Sequence, residues 1–91
     1  MISIERQLEY AADKCRATRK ALTEALTFKQ YNKFRLEAGL SGQPDNFLNV
    51  NIKAITRSKR AIRLYEIAAE AIREYNAIKY RAEFKLIQGA A

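Results

Sequence analysis

The stretch Ala38-Gly39-Leu40-Ser41-Gly42-Gln43-Pro44-Asp45 decides the fold, because it gathers two of the three glycines and the single proline of a 91-residue chain. Glycine accepts the left-handed backbone that ends a helix, and proline fits the first turn of the next one. Gly39 is therefore expected to stop one helix, and Pro44 with Asp45 or Asn46 to open another. The restart can slip to Asn49 or Asn51, since Asn49-Val50-Asn51-Ile52 mixes β-branched residues with amides that favour caps.

Upstream of this punctuation, Ile4, Leu8, Ala11, Cys15, Thr18, Leu22 and Ala25 recur at spacings of three and four, which is a helical period and not the alternation of a strand. Ser3 stands where a capping hydroxyl belongs. The expected fold is all-α: an antiparallel two-helix hairpin in one domain spanning residues 1–91, with its turn at 39–45. The first helix would cover about 4–38, roughly 50 Å, and the second about 46–87, roughly 60 Å, at 1.5 Å per residue. No repeat, low-complexity tract or linker divides the chain.

Each expected helix carries two apolar stripes. On the first, Ile4, Leu8, Ala11, Cys15, Leu22 and Leu26 form one, and Tyr10, Ala17, Ala21 and Phe28 form another about 120° away. On the second, Ile55, Ile62, Tyr65, Ala69 and Ile72 form one, while Leu64, Ile67, Ala71, Tyr75, Ile78 and Ala82 form the other. Only a narrow strip of Lys59, Arg63, Glu66, Glu70 and Glu74 is polar throughout. One seam hides one stripe per helix, and an uncovered row of large side chains forfeits several kcal/mol at about 25 cal/mol per Å². The simplest remedy is a homodimer closing into a four-helix, coiled-coil-like bundle, with Tyr10, Ala17, Ala21, Phe28, Leu64, Ile67, Ala71, Tyr75, Ile78 and Ala82 as the interface. A break of the first helix near Thr23–Thr27, giving three helices, would serve as well, and so would a different protein laid on the stripes.

The chain carries 17 Lys and Arg against 10 Asp and Glu, a net +7. The excess is localised: residues 1–13 hold three acids and one base, 14–63 three acids and twelve bases, and 64–91 four of each. Residues 52–63 carry five cations, Lys53, Arg57, Lys59, Arg60 and Arg63, and no acid. On a continuous helix Lys53, Arg57 and Arg60 project within about 60° of one another. Lys29, Lys33 and Arg35 belong to the same end of the hairpin, with Arg16, Arg19 and Lys20 further back. Cations along one face displace counterions from nucleic acid; a solvated charged face is the ordinary reading of such a cluster, and an acidic protein surface would suit the same residues. Tyr31, Phe34 and Phe47 near the turn either stack on bases or, as aromatics beside a turn more often do, close the core.

Catalytic and metal chemistry finds little support. With no histidine, a general base of that kind, a zinc site and the Glu-x-x-His pattern of a di-iron bundle are all missing. Glu66, Glu70 and Glu74 step by four, but Arg63 and Arg73 stand three residues from Glu66 and Glu70, which suits solvated ion pairs and not a magnesium site. Cys15 has no partner for a disulfide inside the chain and sits on the main stripe as a small apolar filler. Ser41-Gly42 lacks the Gly-Lys-Ser or Gly-Lys-Thr of a phosphate loop. The opening Met1-Ile2-Ser3-Ile4-Glu5-Arg6 lacks the basic start and apolar run of a signal peptide, and no apolar run approaches the roughly 20 residues of a membrane span. The expectation is a cytoplasmic, non-enzymatic helical binding protein without cofactor or metal, binding no membrane, whose partner is nucleic acid or an acidic protein surface. No motif is specific enough to name a family. The alternative is an inhibitor or adaptor of the mobile-element accessory type, docking through the second stripes.

Overall fold

Ser3 caps α1 (Ile4–Ala25), its Oγ accepting the Arg6 N–H at 3.2 Å. The computed structural model describes residues 3–39 and 47–89, with the side chains given through Glu83. It is helical, with no strand among the described residues: α1 is followed by α2 (Phe28–Ala38), α3 (Ile52–Ile55) and α4 (Lys59–Gly89).

The first helix does not run unbroken to Ala38. Leu26 turns extended (φ −96°, ψ 145°), and Thr27 (φ −69°, ψ 166°) restarts the chain as the N-cap of α2. The cause is local. Thr27 Oγ1 accepts the Gln30 N–H at 3.2 Å while Gln30 Oε1 accepts the Thr27 N–H at 3.0 Å, a reciprocal capping box that satisfies two otherwise orphaned donors. Thr18 and Thr23 donate their hydroxyls back to the carbonyls of Lys14 and Arg19, at 2.8 and 2.9 Å, a habit that bends helices. Gly39 ends α2 at φ 79°, where a side chain would clash, as its place in the sequence suggests. The turn expected at 39–45 and a restart at Asp45 or Asn46 lie outside the described residues beyond Gly39.

The second long helix begins later than expected, at Lys59. Asn51 precedes only the single turn of α3, and Thr56 ends it in an extended conformation (φ −140°, ψ 149°). Thr56 is buried, and its Oγ1 accepts the Ser58 N–H at 3.1 Å. Ser58 in turn caps α4, its Oγ accepting the Ala61 N–H at 3.2 Å and its carbonyl the Ile62 N–H at 3.0 Å. Two hydroxyls thus stabilise a break that propensity alone did not place.

The main contact pairs α1 with α4 in antiparallel register. Leu22 lies in the same core cluster as Tyr65, Cys15 faces Ile72 and Tyr75 across a groove, and Leu8 lines a second groove with Tyr75. Lys14 meets Glu74 across the seam at 3.3 Å. Ala61 and Ala68 on α4 are 0% exposed, so the backbones approach closely where they pack. The rest of the core is an aromatic knot. Phe47 stacks on Tyr65 with centroids 5.3 Å apart, and Phe34 meets both edge-on at 5.3 and 6.2 Å. The Tyr65 hydroxyl donates to the Phe47 carbonyl at 2.7 Å, tying the segment before α3 to the second turn of α4. Ile52, Ile55 and Ala38 complete this cluster.

Both first stripes are covered as expected: Ala11, Leu22 and Leu26 on one side, Ile55, Tyr65, Ala69 and Ile72 on the other, are buried. The second stripe of α4 is partly covered by the same chain, with Ile67 left exposed. Ala71 is buried and so is not free to meet a partner, and Leu64, Tyr75, Ile78 and Ala82 are half-buried. Phe34 and Phe47 pack on α4 at Tyr65, whereas Tyr75 of the second stripe lines grooves with Leu8, Ala12 and Cys15 of α1.

Candidate nucleic-acid interface

The cations of residues 52–63 do not share one helix face, because the helix expected to carry them is interrupted. Lys53 lies on α3, Arg57 in the three-residue turn, and Lys59, Arg60 and Arg63 on the first two turns of α4. All five are exposed. The turn, and not a helical period, keeps them at one end of the molecule. Ile52, Ile55 and Thr56 point into the core, which directs Lys53 and Arg57 outward.

Helix α2 contributes to the same end. Gln30 borders a surface depression together with Lys53, Ala54, Ile55, Thr56 and Arg57. Lys33 stands one turn beyond Gln30 and Lys29 next to it, both exposed. Among the described residues, Lys29, Lys33, Lys53, Arg57, Lys59 and Arg60 make no ion pair. No described acid compensates their charge at contact distance, and all six are exposed.

Arg35 and Arg63 behave differently from this group. Arg35 lies over the Tyr31 ring, 5.9 Å from its centroid, in a cleft that also holds Arg19 and Thr23. Arg63 pairs with Glu66 at 3.6 Å, and since both side chains are largely exposed the pair contributes little. Arg16 pairs with Asp13 one turn away.

Arg19 is the residue that sequence reasoning set further back and the fold brings forward. Its guanidinium sits 5.3 Å from the centroid of Phe47, 28 positions later in the chain. No pattern in the sequence announces a contact between residues so far apart. Phe34 and Phe47 are core residues, so they offer no face to a base.

Of the side chains assigned to an interface, Tyr10 (64% exposed) and Phe28 (79%) stand in water, and Ile67 is partly exposed. Ala17 is exposed and Ala21 half-buried. Leu36 on α2 is 74% exposed, a position the stripes did not mark.

The interior offers no reactive group of evident use. Burial pushes the Cys15 thiol above its ordinary value, against the opposing pull of Arg19, which suits a filler and not a nucleophile. Among the described residues no three His, Cys, Asp or Glu side chains gather as metal ligands, and no helix is long and apolar enough to cross a membrane. No protein family, no curated protein and no solved structure matches the chain.

Proposed function

We propose that this chain is a non-enzymatic helical binding module that holds nucleic acid by its phosphates at the basic end. The observation that supports it is the set of six exposed cations, Lys29, Lys33, Lys53, Arg57, Lys59 and Arg60, converging from α2, α3, the turn and α4 with no acid paired to them among the described residues. Each Lys or Arg that meets a phosphate releases condensed counterions, which is a favourable term independent of base sequence. Titration of DNA and RNA at several salt concentrations tests it. Log affinity should fall linearly with log salt, by about 0.9 per phosphate contact on a duplex. The triple variant Lys53→Glu, Arg57→Glu, Arg60→Glu should flatten the line by close to three contacts. No binding even at about 50 mM salt removes the reading.

A second reading is favoured by Phe28 and Leu36, large apolar side chains left in water on α2. In it the chain is an adaptor whose apolar positions dock on another protein and whose cations match an acidic surface. A homodimer belongs to the first reading, with Tyr10, Ala17 and Ile67 as the apolar positions it would cover.

A further inference from the structure

The outward strip of α4 reverses sign along its length. Lys59 and Arg63 are followed by Glu66, Glu70 and Glu74, all exposed. The change falls within roughly 10 Å of the helix start, at 1.5 Å per residue. A nucleic acid laid along α4 would meet a strip that from Glu66 to Glu74 holds only glutamates, the first paired with Arg63 and the last with Lys14, and so gains no free cation there. Only an approach to the end of the helix brings Lys59, Arg60 and Arg63 into contact and leaves the acids behind.

The shape permits such an approach. The molecule measures 50 × 24 × 16 Å, and α4 with its 31 residues covers nearly all of the long dimension, so its first turn stands at one end. Just before it, α3 and the turn Thr56-Arg57-Ser58 form a helix, a three-residue turn and a second helix. The turn is fixed by the Thr56 and Ser58 hydroxyls, and its inner side by buried Ile52, Ile55, Ala61 and Tyr65. Since α3 is a single turn of four residues, the start of α4 is the part long enough to enter a groove.

We infer that the ligand is B-form duplex DNA, with the first two turns of α4 in the major groove and Lys53 and Arg57 on the flanking phosphates; this rests on the phosphate-binding reading above. A helix about 10–12 Å across fits a major groove about 12 Å wide, whereas the A-form groove of duplex RNA is too deep and narrow to admit it. Single strands are held on rows of aromatic platforms, and among the described aromatics of the basic end Phe28 is exposed, Tyr31 is half-buried beneath Arg35, and Phe34 and Phe47 are buried, which makes no row.

Three probes of one length and base sequence decide the matter at a single salt concentration: duplex DNA, duplex RNA and single-stranded DNA. Duplex DNA should bind about tenfold tighter than either of the others. Bulky sugar groups on the major-groove edge of its cytosines should weaken binding about tenfold in the unaltered protein, and a minor-groove ligand such as netropsin should not. Arg60→Glu should lower duplex affinity by a similar factor, and Arg81→Glu near the far end of α4 should leave it unchanged. Equal binding of the duplexes, preference for the single strand, or indifference to the major-groove substituent overturns the inference while the phosphate reading survives. Failure to bind any probe overturns both.

Discussion

Tyr65 does more than any other single residue to fix the arrangement, because its ring touches Phe34 and Phe47 and its hydroxyl donates to the Phe47 carbonyl. Tyr65→Phe keeps the rings and leaves the Phe47 carbonyl only the longer bond from the Val50 N–H at 3.4 Å. The expected loss is about 0.5–1.5 kcal/mol of unfolding free energy in urea titrations. Burial raises the hydroxyl above its ordinary value of 10.0, as it raises the Cys15 thiol above 9.0. Both groups are neutral when protonated, so the folded state retains protons that the unfolded chain gives up. Their contribution is complete below the unfolded values and is lost as pH rises through the folded ones. Stability should be level from neutral pH to about 9 and decline above, and Tyr65→Phe should decline less steeply. Melting curves at stepped alkaline pH check this, and an undiminished slope in the variant would assign the decline to other groups.

At the level of elements, two breaks shape the chain, and each is held by hydroxyl caps. Thr27→Ala removes one half of the capping box and should cost about 1 kcal/mol, with faster amide exchange concentrated in the first turn of α2. Exchange measured by NMR or mass spectrometry reads both position and size. These breaks were partly legible. Thr27-Phe28-Lys29-Gln30 has the Thr-x-x-Gln spacing of a capping box, and Ser58 precedes a long periodic run. Yet Leu26 also continues the apolar period of α1, and a period read through the break yields one long helix. What favours the break is that Leu26 stays buried while extended, and that α2 carries Phe34 onto Phe47 and Tyr65. The same holds for Lys53, Arg57 and Arg60: a wheel drawn through residues 52–63 puts them on one face, whereas the turn at Thr56–Ser58 distributes them over three elements and still keeps them at one end.

For the whole molecule, the burial of Ala71 within the chain changes what self-association would require. The homodimer proposed above must bury Tyr10 and Ile67, since Ala71 is already inside. Light scattering over a dilution series should show twice the monomer mass at micromolar concentration, with Tyr10→Glu and Ile67→Glu together reducing it to monomer. A constant monomer mass from the unaltered protein would remove the dimer.

The sequence by itself determined the helical class, the stop at Gly39, the cap at Ser3, the two principal buried stripes and the crowding of positive charge into residues 14–63. These rest on interactions between residues no more than four apart, or on composition, and so are written locally. Only the tertiary structure decided between an unbroken first helix and the break near Thr27, placed the start of α4 at Lys59, brought Arg19 to Phe47 and buried Ala71 within its own chain. Each of those choices adds burial between residues tens of positions apart to the few local hydrogen bonds that permit it, and that burial is not written in any local pattern.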